Sequence, residues 1–322
     1  MTKKVTILDL EKASGVSKST ISRYLQGVPV GADKQVRIEK AIDELAFVRN
    51  SFAHYLRSQE SNLIGVLVPD LDNPYFLTII KVLDQLAEAA GRSLIIKTTR
   101  SDEMLEKKSL QFIQGFLIRH VITCRSELSE ETVEALSERI KIVSIDRPFQ
   151  SIPSVVSNNY ENGYQITAHL ADVEPGPLMF FARKKENVSV LERIEGFKNR
   201  LKELGRTPLE YRYASKDDID YENLKAFVLK HDIKGIISRN DNDALKIMTY
   251  LNDLSFKGEI GRIKIAGFDN IDLAKRITPQ LTTIDQEISK MCEKAFEALF
   301  EYQKTPQTIV HTGQLIKRES TL

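Results

Sequence analysis

The chain has 322 residues, of which 42% are apolar and 28% charged, a composition typical of a globular protein with more than one domain. The 46 Lys and Arg side chains nearly balance 45 Asp and Glu, so the net charge of +1 does not indicate a polyanion-binding protein. Two cysteines exclude a disulfide framework, and no run of about 18 apolar residues would span a membrane. The N-terminus has no apolar segment typical of a secretory signal, so we predict a reduced, cytoplasmic protein.

The charges are unevenly distributed along the chain. Residues 1–58 hold 10 basic and 6 acidic side chains, whereas the remainder holds 36 basic and 39 acidic ones. A basic N-terminal segment joined to a slightly acidic remainder indicates a nucleic-acid-binding module attached to a domain of another kind.

The N-terminal segment predicts short helices and no strand. Thr6, followed three residues later by Asp9, begins a first helix in the manner of a capping box. Gly15 then breaks the helical pattern, because glycine readily adopts the left-handed conformation of a tight turn. Ser17 is a suitable N-cap for a second helix, SKSTISRYLQG, which ends at Gly27. Two short helices joined by such a turn are typical of a helix-turn-helix motif.

The second predicted helix separates apolar from polar side chains. Ile21 and Leu25 share a face that can pack on the neighbouring helices, and the opposite face carries Lys18, Ser19, Ser22 and Arg23. A major groove admits one helix, and the N-terminal residues of that helix contact base edges. Lysine and arginine can donate to guanine, and serine can pair with several bases. The polar face is therefore suited to reading DNA, and a merely solvated helix face is the structural alternative.

From Leu63 onward the sequence changes to short apolar runs that alternate with amphipathic stretches. The runs are LIGVLVPD, SLIIKTT, HVITC, IKIVSID, PLMFFA, KGIIS and IKIAGFD. The amphipathic stretches include Phe76–Ala90, Ser129–Arg139, Val190–Leu204 and Asn242–Asp253. Apolar strands that alternate with helices predict parallel sheets with both faces buried. The fold class that we predict is a small all-α head followed by an α/β body, in which two similar lobes each hold a doubly wound sheet.

Polar side chains follow several predicted strands, at the edge where open α/β sheets bind ligands. The first strand continues into DLDNPYF, and three others end in Asp146-Arg147, Arg239-Asn240-Asp241 and Asp269-Asn270. Carboxylates, amides and an arginine next to aromatic rings suit a carbohydrate, whose hydroxyls need donors and acceptors and whose C–H face stacks on rings. Helix capping by the same aspartates is the structural alternative.

Motifs of enzymes and metal sites are absent from the sequence. The five histidines are scattered without metal-ligand spacing, and there is no GxSxG, P-loop or GxGxxG motif. We therefore expect no catalytic residue, no metal and no cofactor. His54 and His169 are expected to be surface or structural residues, and Cys124 is expected to be buried in the core.

Several segments in a fixed order carry a resemblance to a known protein family. They are VTILDLEKASGVSKSTISRYLQG, RIEKAIDELAFVRNSFAHYLRS and LIGVLVPDLDNPYF, followed by IDRPF, RIEGF, NDNDA, AGFDN and PQLTTIDQ. Together they resemble the lac repressor family (LacI/GalR) of bacterial transcription regulators over essentially the whole chain. The resemblance implies a two-lobed body like that of periplasmic sugar-binding proteins. The implied division is a helix-turn-helix head in 1–46, a hinge helix in 47–61, an N-terminal lobe in 62–156 with about 286–312, and a C-terminal lobe in 157–285 with about 313–322.

The resemblance also places DNA contacts in the hinge. In the family, a leucine from each hinge helix inserts into the minor groove, where an apolar wedge kinks the duplex, and it corresponds here to Leu56. Packing of Leu56 on the body is the alternative. The segment GADKQ departs from the family's Ser-x-x-Thr-Arg, which weakens one cap and one phosphate contact. Lys34, within this segment, is expected to substitute for the phosphate contact. The residues expected to contact DNA are Thr6, Ser17, Lys18, Ser19, Ser22, Arg23, Lys34, Asn50, Leu56 and Arg57.

A small-molecule site between the two lobes is implied as well. Tyr75 and Phe76 correspond to the family's aromatic pair, and Arg193 corresponds to an arginine that pairs with ligand hydroxyls or a carboxylate. The alternative for Arg193 is a surface cation. The residues expected to bind the effector are Tyr75, Phe76, Asp146, Asn187, Ser189, Arg193, Asn240 and Asp269.

The function implied by the resemblance is a homodimeric repressor of a sugar or sugar-acid operon, released from a pseudo-palindromic operator by a sugar, sugar acid or sugar phosphate. A symmetric operator mirrors a symmetric dimer, and the chain lacks the leucine-heptad tail that makes some members tetrameric. A corepressor or a partner protein as the effector remains an alternative. A sugar-binding transport or receptor component is disfavoured by the DNA-reading head, and a sugar isomerase or kinase by the missing catalytic motifs.

Overall fold

The computed structural model describes residues 5–25, 27–47, 61–214, 218–301 and 306–322. The chain divides into two compact units, Met1–Glu60 and Ser61–Leu322, which are called the head and the body below. The predicted hinge helix, with Asn50, Leu56 and Arg57, lies outside the described residues.

The described part of the head, residues 5–25 and 27–47, contains three helices, α1 (Ile7–Ser14), α2 (Lys18–Leu25) and α3 (Ala32–Glu44). The apolar face predicted for the second helix contributes to a small shared core made of Leu10, Val16, Ile21, Ile38 and Ala41. Because each helix is too short to be stable alone, this core is what holds the motif together.

The turn between α1 and α2 is built as the sequence predicts. The Asp9 carboxylate accepts a hydrogen bond from the main-chain N–H of Thr6 at 2.8 Å, and Gly15 closes α1 with φ of +65°. A Cβ atom at Gly15 would lie 2.5 Å from Nη2 of Arg37, whose guanidinium donates to the carbonyl of Ser14. Arg37 therefore fastens α3 to the turn, and the positive φ favours glycine at position 15.

The described residues of the body form two six-stranded sheets. The first sheet has the order β11-β5-β4-β3-β1-β2, and its strands are β1 (Leu63–Val68), β2 (Ser93–Thr98), β3 (His120–Cys124), β4 (Lys141–Ile145), β5 (Ser154–Ser157) and β11 (Thr308–His311). The second sheet has the order β12-β10-β9-β8-β6-β7, and its strands are β6 (Leu178–Arg183), β7 (Leu209–Tyr213), β8 (Gly235–Ser238), β9 (Lys264–Phe268), β10 (Thr282–Asp285) and β12 (Gln314–Ile316). The chain passes between the sheets after β5, after β10 and between β11 and β12.

Helices cover both faces of each sheet, as expected for a doubly wound fold. On the first sheet, one face carries α4 (Pro74–Ala89) and α11 (Ile288–Phe300), and the other carries α5 (Glu103–Gly115) and α6 (Glu130–Ser137). On the second sheet, one face carries α7 (Asn159–Val173) and α8 (Val188–Glu203), and the other carries α9 (Tyr221–Lys230) and α10 (Asp241–Phe256). None of the described helices is long and apolar enough to cross a membrane.

Two features of the body differ from the sequence expectation. The sheets are not entirely parallel, since β12 pairs with β10 in the antiparallel direction. The terminal segment GQLIKRESTL, for which the sequence predicts a strand, forms one only over β12 and is followed by a 3-10 helix over Glu319–Thr321. The expected places of His169 and Cys124 are confirmed: His169 Nε2 lies 2.9 Å from the Thr321 hydroxyl, and Cys124 is buried in the first core.

Candidate functional site

The polar face of α2 is exposed in the head. Helix α2 begins at Lys18, directly after Ser17, and the side chains of Ser17, Lys18, Ser19 and Arg23 are exposed while Ser22 is half-buried. The Glu11 carboxylate of α1 accepts a hydrogen bond from the main-chain N–H of Lys18 at 2.8 Å, which fixes the start of the helix. Four predicted DNA-contacting residues therefore lie on one short helix, from Lys18 at its start to Arg23 in its last turn, and a fifth, Ser17, directly precedes it.

The remaining predicted DNA contacts of the head lie outside α2. Thr6 and Lys34 are exposed at the starts of α1 and α3. Gly31 precedes α3 and makes no side-chain cap, as the departure from the family's pattern predicts. Asn50, Leu56 and Arg57 are not among the described residues.

In the body, an aromatic pair begins α4. The N-cap Asn73 accepts a hydrogen bond from the main-chain N–H of Tyr75 at 3.1 Å, and this places Tyr75 and Phe76 in the first turn. Both rings are fully buried and lie edge to face, with centroids 5.3 Å apart. Tyr75 and Phe76 thus form one wall of the site at the end of β1.

Arg125 joins this wall to the end of β4. Its Nε donates to Oδ2 of Asp146 at 2.6 Å, and its guanidinium lies 5.4 Å and 5.2 Å from the ring centroids of Tyr75 and Phe76. Arg125 and Asp146 both have positive φ, +49° and +70°, so the chain turns sharply at the ends of β3 and β4. Arg125 was not among the predicted site residues, although it directly follows a predicted strand, as Asp146 does.

Arg193, on helix α8 beside the second sheet, is a fully buried cation of the site. Its Nε donates to Oδ1 of Asn159 at 2.8 Å, its Nη1 donates to the carbonyl of Arg239 at 2.7 Å, and its guanidinium lies 4.5 Å from the ring centroid of Phe268. Oδ1 of Asp269 is 3.9 Å from Nη1. The alternative that Arg193 is a surface cation is wrong.

Asp269 follows β9 with φ of +110° and is completely buried. Burial raises its pKa to about 6, although Arg193 and Arg125 act in the opposite direction. The Gln286 side chain donates to Oδ1 of Asp269. Gln286 follows β10 and was not among the predicted site residues.

A charged network supports Arg193 from the second sheet. Arg239 follows β8 and forms a two-pronged ion pair with Glu186, with contacts of 2.6 and 2.9 Å. Its Nη1 is also 3.3 Å from Oδ2 of Asp243, to which the Tyr213 hydroxyl donates. Because the carbonyl of Arg239 accepts a hydrogen bond from Arg193, this network positions Arg193, and Arg239 itself lines the cavity of the site.

Five buried polar atoms in this region have no hydrogen-bond partner among the described residues. They are the Tyr75 hydroxyl, Oδ1 of Asp146, Nη2 of Arg193, Oδ2 of Asp269 and Oε1 of Gln286. Leaving such an atom unpaired costs about 1–3 kcal/mol, so five near one another indicate a binding site.

The pKa shifts of Tyr75 and Arg193 agree with the close placement of these groups, because charges on both sheets contribute to them. Burial raises the pKa of Tyr75 well above its usual value, and the charges of Asp146 and Asp269 raise it further, against the effect of Arg125. Burial lowers the pKa of Arg193, and Asp269 and Asp146 oppose this shift. Residues from both sheets therefore share one buried site.

The other predicted effector residues border this site. Asn187 and Asn240 line a cavity between the two sheets together with Phe76 and Arg125. Each also caps a helix, since Asn187 accepts from the N–H of Val190 and Asn240 from that of Asp243. Ser189 lies on the other side of Asp146, where both line a second cavity.

No group of three or more His, Cys, Asp or Glu side chains is placed to hold a metal ion within the described parts of the chain. The arrangement of arginines, carboxylates, an amide and a phenol offers hydrogen bonds and charge, which is the chemistry of ligand binding.

Comparison with known proteins gives matches over both units. Residues 6–50 match the family described as bacterial regulatory proteins, lacI family, and residues 162–321 match the periplasmic binding protein-like domain. The chain is 26% identical to the HTH-type transcriptional regulator RegA of Clostridium saccharobutylicum, over 98% of this chain and 99% of the relative. It is 27% identical to the HTH-type transcriptional regulator KdgR of Bacillus subtilis, over 98% and 97%, and 28% identical to the ribose operon repressor of Halalkalibacterium halodurans, over 88% and 86%.

Solved structures share the fold over the whole chain. The lac repressor dimer bound to operator and the anti-inducer ONPF has a TM-score of 0.85 at 22% identity, and the alignment covers 99% of this chain and 100% of that one. The transcriptional regulator CelR in complex with cellobiose has a TM-score of 0.66 at 17% identity, with coverage of 98% and 100%.

Proposed function

Because the chain belongs to the lacI family of bacterial regulatory proteins, we propose that it is a transcriptional repressor which a small molecule releases from its operator. The observation that carries the effector half of this proposal is the set of five unpartnered polar atoms in the body. A protein that acted only by binding DNA would have no reason to keep these atoms buried and unpaired.

The DNA-binding half rests on the exposed face of α2. Lys18, Ser19 and Arg23 are free to contact base edges when the helix enters the major groove, and Ser17 and Thr6 are suited to phosphates. We assign the reading of sequence to Lys18, Ser19, Ser22 and Arg23. Lys34, Asn50 and Arg57 are proposed phosphate contacts, and Leu56 is the proposed minor-groove wedge.

The effector that we propose is a sugar or a derivative of one, bound by Tyr75, Phe76, Asp146, Asn187, Ser189, Arg193, Asn240 and Asp269. Relatives and structural neighbours include a ribose operon repressor and regulators in complex with cellobiose and with D-xylulofuranose. A corepressor is the second candidate, since repressors named PurR are also among the relatives. The sign of the response separates the two, because an inducer weakens operator binding and a corepressor strengthens it.

We propose that the protein acts as a homodimer on a pseudo-palindromic operator. The lac repressor that shares this fold was solved as a dimer on its operator, and a two-fold dimer presents two copies of α2 to two half-sites. We also propose that the protein works in the cytoplasm, where its DNA is, and that it is a regulator without enzymatic activity, as its regulator relatives indicate.

The release mechanism follows from the position of the site between two sheets. Residues from both sheets surround it, so a ligand that contacts Asp146 and Arg193 together favours one arrangement of the lobes over another. In a dimer, a change in that arrangement alters the distance between the two hinge segments. The ligand then weakens DNA binding by the ratio of its affinities for the two arrangements, and DNA weakens ligand binding by the same factor.

The direct test is a screen of the purified full-length protein against sugars, sugar acids, sugar phosphates and purines. A ligand present at about 100 times its Kd adds about 2.7 kcal/mol to the free energy of unfolding, which thermal denaturation detects. Every compound that stabilises the protein is then titrated into an operator complex in a mobility-shift assay. The proposal is wrong if no compound of any class changes either thermal stability or operator binding.

A further inference from the structure

The unpartnered atoms of the effector site are unequally divided between acceptors and donors. Three of the unpartnered atoms are acceptors and cannot donate. They are the oxygens of the two ionised carboxylates, Oδ1 of Asp146 and Oδ2 of Asp269, and the amide oxygen Oε1 of Gln286. Nη2 of Arg193 can only donate, and the Tyr75 hydroxyl can do either. A ligand that satisfies all five atoms therefore brings at least three donors and one acceptor.

The orientation of the Gln286 amide supports this count. Its neighbour Asp269 accepts hydrogen bonds, so the NH2 group of Gln286 faces Oδ1 of that carboxylate. Its carbonyl oxygen is consequently the atom left for a ligand, and it adds a third acceptor to those of the two aspartates.

The charges within the site are already paired. Arg125 contacts Asp146 at 2.6 Å and Arg193 lies 3.9 Å from Asp269, and the side chains of all four residues are buried or nearly so. A carboxylate or phosphate on the ligand would add a negative charge beside two buried carboxylates that already balance the charges of Arg125 and Arg193. The two other arginines that line the cavity, Arg183 and Arg239, also have acidic partners, since both lie within 4 Å of Asp243 and Arg239 contacts Glu186 as well. An unpaired charge in a site shielded from water is strongly unfavourable.

The five atoms come from five elements that surround the site. Tyr75 lies on α4, Asp146 after β4, Arg193 on α8, Asp269 after β9 and Gln286 after β10. A planar heterocycle places its donors and acceptors at its edge, in one plane. A ring or chain of CHOH groups directs hydroxyls outward from several carbons, and each hydroxyl both donates and accepts.

We infer that the effector is an uncharged polyhydroxy compound, a neutral monosaccharide or polyol, and that the site rejects the corresponding sugar acids and phosphate esters. Asp146, Asp269 and Gln286 accept from three of its hydroxyls, and Arg193 donates to one of its oxygens. The inference rests on the proposed function and narrows the effector from sugars and their derivatives to the neutral members.

Isothermal titration of the full-length protein at about pH 7.5 tests this with matched sets of ligands. Each set holds a neutral aldose, its polyol, its aldonic acid and its phosphate ester, for all the common pentoses and hexoses. In the set that binds, we expect the neutral member to bind about 100-fold more tightly than the acid or the ester, a difference of about 2.7 kcal/mol. An acid or ester that binds as tightly as its neutral parent overturns the inference.

The variant Asp269→Asn tests whether the carboxylate causes the discrimination. The amide removes one negative charge and offers an N–H donor, so the preference for the neutral member over its acid should fall from about 100-fold to below about 10-fold. Asp253→Asn is the matched control, because Asp253 is exposed on α10, where it pairs with Lys257. An unchanged preference in Asp269→Asn overturns the assignment.

Mobility-shift assays with the same ligands distinguish failure of this inference from failure of the proposed function. Release of the operator by a neutral sugar supports both the inference and the proposed function. Release by an anionic sugar, with no effect of its neutral parent, contradicts the inference and leaves the proposed function standing. If no ligand binds or changes operator affinity, both fail.

Discussion

The hydroxyl of Ser189 donates a hydrogen bond to the main-chain carbonyl of Asp146 at 3.1 Å. Ser189 lies in the first turn of α8 beside the second sheet, and Asp146 follows β4 of the first sheet, so this bond joins the two lobes. Both residues are buried, at 4% exposure each, and the bond is therefore shielded from water. It fastens α8, which carries Arg193, to the strand end that carries Asp146.

Replacement of this hydroxyl gives the first prediction. Ser189→Ala should lower the free energy of unfolding by about 1 kcal/mol, the usual net contribution of one hydrogen bond, measured by urea denaturation. Ser137→Ala is the matched control, since the Ser137 hydroxyl also donates to a carbonyl, that of Glu134, but at an exposed helix end. If both variants lower the free energy of unfolding equally, the buried hydrogen bond between the lobes stabilises the protein no more than an exposed one does.

The second prediction concerns the close packing of α7 on α8. A Cβ atom at Gly163 would lie 2.2 Å from the carbonyl oxygen of Arg193. Gly163→Ala should therefore displace α8 and lower the free energy of unfolding by about 3 kcal/mol, with weaker effector binding because Arg193 moves. Gly115→Ala at the end of α5 should be neutral or slightly stabilising, because a Cβ atom there would meet no neighbouring atom of the described residues within 4 Å. A neutral Gly163→Ala would mean that the two helices separate easily.

The sequence carried enough information for the fold and for the centre of the site. Asp146 and Asp269 directly follow apolar strands, and parallel strands bring such positions to one edge of a sheet. Arg193 was identified through the family resemblance, but its complete burial was not evident, because a helical arginine usually faces water. Its removal would leave Asp269 buried without a counter-charge, so Arg193→Ala is expected to damage folding and is a poor probe of binding.

Two partners in the site could not be predicted from local sequence. Arg125 reaches Asp146 only because β3 and β4 are neighbours in the sheet, which is a property of strand order. Gln286 follows β10, whose four residues, TTID, do not form an apolar run. A strand was predicted in the segment that holds β12, but its antiparallel pairing with β10 was not, because the residues of one strand do not reveal the direction of its neighbour.

The third prediction concerns sequence reading by the head. Arg23→Ala should weaken binding to the cognate operator by about 1–3 kcal/mol and affect random DNA much less, because a base contact carries specificity. Fluorescence anisotropy with both DNAs at one salt concentration measures this. Lys40→Ala, which removes an exposed cation of α3, is the control for loss of charge. If Arg23→Ala weakens both DNAs equally, Arg23 contacts a phosphate.

The fourth prediction isolates one unpartnered atom of the effector site. Tyr75→Phe removes a buried hydroxyl that has no partner among the described residues and keeps the ring against Phe76. The free energy of unfolding should therefore stay the same or rise, whereas effector affinity should fall about tenfold, the equivalent of one hydrogen bond. Titration calorimetry with the effector found by screening measures this.

The control for Tyr75→Phe is Tyr164→Phe. The Tyr164 hydroxyl donates to Glu203 at 2.6 Å on the surface of α7 and α8, so its loss should leave effector affinity unchanged. If Tyr75→Phe binds the effector as tightly as the wild type does, the phenol lies outside the binding site.

The last prediction follows from the buried carboxyl of Asp269, whose pKa is raised from 3.8 to about 6 by burial. The folded protein holds this proton more tightly than the unfolded chain. The stability that the folded protein gains from holding this proton is therefore complete below about pH 4. It is lost as the pH rises through about 6, and the free energy of unfolding then falls by about 3 kcal/mol. Without effector, the free energy of unfolding of the wild type relative to Asp269→Asn should decrease over this range and level off above it, as urea denaturation at a series of pH values would show. Asp253→Asn should keep the wild-type profile, because Asp253 is exposed. An effector hydroxyl that donates to the ionised carboxylate should bind about tenfold more weakly for each pH unit below about 6. A wild-type profile that runs parallel to that of Asp269→Asn would show that Asp269 does not titrate in this range.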